Sequence, residues 1–354
     1  MQTVHIRASR PYDVLVGRGL LRQAGELIAN RIPCCTMVLV SDSAVDALYG
    51  GVVTASLKEA GFDVLRFSFP AGEASKNIAT LSALLEFMGE RRVTRTDCIA
   101  ALGGGVTGDL AGFAAAVYLR GIRYVQLPTT LLAAVDSSVG GKTAVDLAAG
   151  KNLAGAFHQP SLVLCDCDTF QTLPATVFTD GLAECVKYGV IADVKLFAQF
   201  ASPLTTEMLA EIVLHCVSIK GDMVAEDEFD HGKRRLLNFG HTAGHAIEAC
   251  SAFTIPHGHA VAIGMAVMAR AAQRHGLCTE VCADEIIRTI AACGLPTHSP
   301  YCAEQLCEAA LSDKKRQGGK IVLIVPRAIG RCEALELPLS ELLEWLQSGM
   351  EEQV

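Results

Sequence analysis

Carboxylate and imidazole side chains gather in the second half of the chain at spacings that suit a divalent cation. Glu184 and Lys187 stand three residues apart in LAECVKYG, so in a helix both project from one face. His241 and His245 are four apart in NFGHTAGHAIE and share a face for the same reason; His257 follows in TIPHGHA. A carboxylate with imidazoles is the donor set of a catalytic divalent site, where three protein ligands leave positions open for water or substrate. A lone histidine is more often structural, but several in one short window beside small residues favour a metal. Spacing does not choose which imidazoles ligate. Cations accompany them: Lys187, Lys220, Arg234, Lys314 and Lys315. In KRRLLNFGH, Arg234 precedes Asn238 by four, on one helical face or turn, and a guanidinium suits bidentate carboxylate binding.

Two glycine-rich stretches raise phosphate chemistry. In CIAALGGGVTGDLAGF, an apolar run leads into Gly103, Gly105 and Gly108, which match G-x-G-x-x-G; such glycines bring amides and a helix N-terminus to a pyrophosphate. A tight turn with close helix packing fits that motif as well, and the ribose-binding acid expected about 20 residues on is missing. Asp42, closing MVLVSD, could serve the ribose or cap a helix. Glu73 and Lys76 in PAGEASKN sit at another strand end. DSSVGGKTAVDLAAGKN looks like the tail of an ATP-binding phosphate loop, but Asp136 stands where the first glycine is required, and a carboxylate there would repel phosphate.

The elements that must position these groups follow from periodicity. Short apolar runs (YDVLVG, MVLVSD, FDVLRFSF, CIAAL, RYVQL, LVLCD) alternate with helical periods up to about Pro174, which is the pattern of a mostly parallel sheet covered by helices. Beyond it come long helical periods, one strand-like run at KIVLIVPRAIG and a closing helix near Ser340. The expected architecture is a Rossmann-like α/β domain over 1–174 and a mainly helical domain over 175–354. With 354 residues, 51% hydrophobic and 19% charged, the chain can bury a sizeable core. A net charge of −8 argues against nucleic acid or an anionic membrane as partner. Fourteen scattered cysteines without a C-x-x-C pair read as free thiols in a reducing cytoplasm. The opening MQTVHIRASR lacks the apolar core of a signal peptide, and no run reaches membrane-spanning length.

Together these motifs resemble the 3-dehydroquinate synthase family, a branch of the sugar phosphate cyclases related to iron-dependent alcohol and glycerol dehydrogenases. The resemblance covers nearly the whole chain, through GEASK, GGGVTGDLAGF, the stretch from LRGIRYVQLPTT to AAGKNL, LAECVKYG, LLNFGHTAGHAIE, HGHAVAIGM and DKK. It implies zinc or cobalt held by Glu184, His241 and His257. It implies NAD against Asp42, the segment Gly72, Glu73, Ala74, Ser75 and Lys76, the turn Gly104, Gly105, Val106, Thr107, Gly108 and Asp109, then Thr129, Thr130, Lys142, Lys151, Thr169, Phe170, Gln171 and Thr172.

The implied substrate is 3-deoxy-D-arabino-heptulosonate 7-phosphate. Arg234 would take its carboxylate; Lys142, Asn152, His245 and Lys314 its phosphate, with Arg120 from the neighbouring subunit of a homodimer. Lys187, Lys220 and Asn238 would meet ring hydroxyls, and Asp136 would face the same cleft. The implied reaction, of a carbon–oxygen lyase acting on phosphates, is transient oxidation by NAD, phosphate elimination, reduction and intramolecular aldol closure to 3-dehydroquinate in the shikimate pathway. His259 and Ala44 depart from the family pattern: one adds an imidazole near the metal, the other removes a hydrogen bond to NAD. Cyclases with substrates lacking a carboxylate are disfavoured by Arg234, Asn238 and His245, and a simple dehydrogenase would not need Lys142, Lys220, Arg234 and Lys314 together.

Overall fold

A computed structural model describes residues 1–230, 232–314 and 319–350, the side chains of 312–314 excepted. The chain forms two compact units: Met1–Leu173 with Leu209–Phe229, and Pro174–Met208 with the chain from Asp230 onward.

The first unit is built on β1 (Gln2–Ile6), β2 (Tyr12–Gly17), β3 (Thr36–Asp42), β4 (Asp63–Phe69), β5 (Cys98–Gly103), β6 (Arg123–Pro128), a hairpin of β7 (Lys142–Leu147) and β8 (Gly150–Phe157), and β9 (Leu162–Asp166). Seven of these make one sheet in the order β1-β2-β9-β6-β5-β3-β4. Only the β1–β2 pairing is antiparallel. The reason lies in the apolar runs. Successive side chains of a strand point to opposite faces, and here both faces are covered. Met37, Leu39, Ala100 and Leu102 enter one core with Ile28, Val53 and Leu57 of the helices Ala24–Ala29 and Gly51–Glu59. Val38, Val40, Ile99 and Ala101 enter the other with Leu81, Leu84, Leu110 and Ala114 of the helices Ile78–Glu90 and Gly105–Val117.

The helix Thr206–Glu226, expected with the helical half, joins this unit from Leu209 onward. Its contact with β1 is close: a Cβ on Gly221 would lie 2.7 Å from Ile6 Cδ1.

The second unit contains the helices Ala175–Ala192, His241–Cys250, His257–Arg274, Glu280–Ala292, Ala303–Lys314 and Leu342–Gly349, with a hairpin of β10 (Lys320–Ala328) and β11 (Arg331–Pro338). β11, whose apolar residues are interrupted by Arg331, Glu333 and Glu336, was not anticipated. His257–Arg274 is the central helix: residues 260–269 are all buried, so it is apolar on every side. Among the described residues no helix is long and apolar enough to cross a membrane. All fourteen cysteines are free thiols.

Candidate functional site

Glycines bring the candidate metal ligands together. Gly240 holds a left-handed conformation (φ 80°) that ends one segment and starts the helix His241–Cys250. That helix then meets His257–Arg274 backbone to backbone, since a Cβ on Gly264 would lie 2.0 Å from the Gly240 carbonyl oxygen. At the other contact a Cβ on Gly258 would lie 2.0 Å from the Asp180 carbonyl oxygen, so the first turn of His257–Arg274 lies directly on the helix Ala175–Ala192, one turn from Glu184.

The result is a convergence. Glu184 is fully buried, with Oε1 at 3.7 Å from Nε2 of both His241 and His257 and Oε2 against the Lys187 ammonium. Ligand atoms of Glu184, His241 and His257 all lie within 4.8 Å of one another. The Nδ1 side of each ring is already occupied: His241 Nδ1 donates to the Phe239 carbonyl at 3.2 Å, His257 Nδ1 to Glu248 Oε2 at 3.1 Å. Nε2 is therefore the nitrogen of each ring that faces Glu184, and it would ligate an ion once free of its proton. A tetrahedral ion with bonds of about 2.1 Å needs donors about 3.4 Å apart, so this set fits one with little adjustment. Burial, then Lys187, lowers the His241 pKa well below the ordinary imidazole range, against the pull of Glu184. Burial also pulls His257 down, but hydrogen bonding to Glu184 and Glu248 outweighs it and raises it to about 10.

Other predicted groups of this unit divide. The exposed His245 ring is 5.3 Å from that of His241 and 6.0 Å from that of His257. It can join Glu248 and His257 in a second donor cluster. Lys187 and Arg234 are buried. Arg234 and Asn238 were expected on one helical face or turn; the segment Lys233–Asn238 is instead a 3₁₀ helix, with three residues per turn, so residues four apart diverge and Asn238 is exposed while Arg234 is not. His259 lies outside both donor clusters, its Nδ1 3.2 Å from Asp180 Oδ1, so the extra imidazole expected near the metal is engaged by a carboxylate. The side chain of Lys314, and Lys315 altogether, fall outside the described residues.

In the first unit, the G-x-G-x-x-G segment is the turn from β5 into the helix Gly105–Val117, with Gly104 as N-cap. Space is short there: a Cβ on Gly108 would meet Gln126 Oε1 at 2.6 Å, one on Gly104 Thr130 Cγ2 at 3.1 Å. Val106 lies in the first turn of that helix, and Thr107 Oγ1 and Thr129 Oγ1 are buried with no hydrogen-bond partner among the described residues. Thr129 donates its amide to the Gly103 carbonyl, tying β6 to that turn.

Around it, Lys76 Nζ bonds Asp109 Oδ2 and Asn152 Oδ1, both at 2.6 Å. Burial raises Asp109 to about 6, with Lys76 opposing. Asn152 is in the left-handed region (φ 55°), its amide held by Asp146 Oδ1 at 2.7 Å. Glu73 Oε1 is 3.8 Å from Lys151 Nζ, Gly72 turns at φ 112°, Ala74 takes a bond from Asn77, and Ser75 donates to the Pro70 carbonyl. Asp42 caps a helix, Oδ1 accepting from Ala44 and Val45 amides. Tyr49 hydroxyl bonds Thr172 at 2.6 Å and the Thr169 carbonyl at 3.5 Å, beside buried Phe170 and exposed Gln171.

Lys220 Nζ bonds Asp136 Oδ1 at 2.8 Å and its carbonyl at 2.6 Å. The 136–152 stretch is a π-helical turn followed by the β7–β8 hairpin that starts at exposed Lys142, and no helix follows Gly141, as a Walker loop would require. Arg120 is exposed, also left-handed (φ 67°). Glu248, Asp180 and Asp146 were missed from sequence. Glu248 lies three residues after His245 and Asp180 four before Glu184, the helical spacings that could have found them.

Comparison with known proteins gives this arrangement its relatives. The profile described as 3-dehydroquinate synthase N-terminal matches residues 66–180, and the C-terminal profile residues 181–316. A 3-dehydroquinate synthase of Streptococcus suis is 43% identical over 344 residues, 95% of this chain and 97% of its own. Among solved structures, a 2-deoxy-scyllo-inosose synthase complexed with carbaglucose-6-phosphate, NAD+ and Co2+ superposes with a TM-score of 0.89 at 27% identity, covering 99% of this chain and 100% of its own. A 2-epi-5-epi-valiolone synthase from Streptomyces hygroscopicus with NAD+ and Zn2+ bound gives 0.84 at 28%, over 96% of each chain. With adjoining profile matches from 66 to 316 and such identity over almost its full length, the chain belongs to the 3-dehydroquinate synthase family.

Proposed function

We propose that the protein converts 3-deoxy-D-arabino-heptulosonate 7-phosphate into 3-dehydroquinate and phosphate. The observation that carries this reading is the turning of the His241 and His257 Nε2 atoms onto the buried carboxylate of Glu184 in a chain of this family. These three residues would hold a zinc or cobalt ion. NAD would lie along Asp42, the 72–76 segment, the Gly104 to Asp109 turn, Thr129, Thr130, Lys142, Lys151 and the Thr169 to Thr172 segment. When bound, NAD supplies a hydride acceptor that later returns the hydride, and the ion supplies Lewis acidity toward oxygen.

The protein's own groups bind and orient. Arg234 offers a planar fork to the carboxylate, a recognition that inosose- or valiolone-type substrates would leave unused. Lys142, Asn152, His245 and Lys314 would surround the phosphate, with Arg120 of a neighbouring subunit in a homodimer. Lys187, Lys220 and Asn238 would meet hydroxyls, and Asp136, already bonded to Lys220, would fix the orientation of that ammonium. These cations neutralise a substrate with a carboxylate and a phosphate, and a departing phosphate can take the proton itself, so no dedicated carboxylate base is required. Fourteen free thiols support a cytoplasmic location.

The test gives purified protein NAD+, a divalent ion and the heptulosonate phosphate, and follows phosphate, dehydroquinate and absorbance of reduced cofactor. Stoichiometric phosphate and dehydroquinate with no accumulating NADH is the expected result. Accumulating NADH would assign the protein to the dehydrogenases, and turnover of a hexose phosphate instead would assign it to the other cyclases.

A further inference from the structure

The helix His257–Arg274 starts without a cap of its own. Its N-cap residue is Pro256, whose side chain has no acceptor for the orphan amides of the first turn. The acceptor comes from another helix: Asp180 Oδ1 takes the His259 backbone amide at 3.1 Å and His259 Nδ1 at 3.2 Å. Both side chains are largely shielded, 14% and 18% exposed. Gly258 makes this possible by letting the turn rest on the Asp180 carbonyl. Asp180 stands four residues before Glu184 on one helix, and His257 two before His259 on the other. A carboxylate at a helix N-terminus is favourable both as acceptor and as charge.

We infer that Asp180 is a positioning residue for the metal centre: its grip on the first turn of His257–Arg274 sets His257 Nε2 against Glu184 Oε1. The His259 ring doubles that grip from one hydrogen bond to two. The inference rests on the metal reading proposed above.

The test uses metal-free protein titrated with Co2+, read by chelator competition and by the visible absorption of the bound ion, with circular dichroism as the check on folding. Asp180→Ala is expected to weaken Co2+ binding by on the order of 10- to 100-fold with an altered visible spectrum and unchanged helix content. Asp180→Asn, which keeps an acceptor oxygen, is expected to recover most of the affinity. Wild-type affinity and spectrum in folded Asp180→Ala would overturn the inference. Should Asp180→Ala fail to fold, His259→Ala carries the test: weaker binding with a shifted spectrum supports the grip, and wild-type values overturn it. Glu184→Gln separates the two readings. Loss of Co2+ in that variant with Asp180→Ala unaffected removes only the positioning role, whereas wild-type protein that binds no Co2+ removes the metal reading as well.

Discussion

His257 and Glu248 meet through Nδ1 and Oε2 at 3.1 Å, on the side of the imidazole away from Glu184. The carboxylate accepts a hydrogen bond from Nδ1–H and so fixes Nε2 as the nitrogen that would ligate. Glu248 is buried, 4% exposed, in the helix that also carries His241. Glu248→Ala is expected to weaken binding of zinc or cobalt by about 10- to 100-fold, measured by competition with a chromogenic chelator. Undiminished affinity would show that the contact does not orient the ring.

Glu184→Gln keeps volume and burial but loses the anionic donor. Turnover is expected to fall nearly to background while circular dichroism keeps the wild-type helix content; the melting temperature should fall, because the buried Lys187 ammonium loses its counter-charge. Retained phosphate release would exclude Glu184 from the metal set.

Exhaustive chelation is expected to abolish turnover, with restoration by zinc or cobalt and without loss of helix content, because the glycine contacts that place the donors are made by the backbone itself. Activity that survives chelation would refute a catalytic ion.

Lys76 offsets a buried charge. Asp109 titrates at about 6 in the folded chain against an ordinary 3.8, so the folded state binds an extra proton between those values and stability declines as pH rises through that window. Above it Lys76 compensates the carboxylate at 2.6 Å. Lys76→Met leaves Asp109 to be either protonated or uncompensated, a loss of about 3–5 kcal/mol where it is ionised. The difference in melting temperature between wild type and variant is expected to be small at pH 5 and larger at pH 8; an equal difference at both would contradict the pairing.

A methyl group at Gly264 would fall 2.0 Å from the Gly240 carbonyl oxygen. Gly264→Ala is expected to cost about 1–3 kcal/mol or more, seen as a lowered denaturant midpoint. The same variant should bind metal more weakly, since it pushes apart the helices that carry His241 and His257.

Much of this was legible in sequence because local pattern and tertiary role coincide. Residues 37–40, 98–102 and 162–165 are unbroken apolar runs, as a sheet covered on both faces demands. Glu184, His241, His245 and His257 stood out as donor types at helical spacings, while the choice of three among them came from the family resemblance. The β7–β8 hairpin escaped notice because Gly, Lys and Ala dilute the β-branched signal across 142–157. Arg234 and Asn238 misled because spacing carries no mark that distinguishes a 3₁₀ from an α helix. Helical spacing ties Asp180 to Glu184 and Glu248 to His245, but the bonds that these two and Asp146 accept depend on the path of other segments.

The interruption of the first unit by residues 174–208 bears on how the nascent chain matures. β1 and the Asp136 turn reach the ribosome exit long before the helix that supplies Lys220 and that lies against Ile6 at Gly221. At roughly 5–20 residues per second, synthesis of the 56 residues from 174 to 229 takes about 3–11 s. For that interval the sheet waits with one flank uncovered, so a fragment ending near residue 173 should be a poor folder and a client for chaperones.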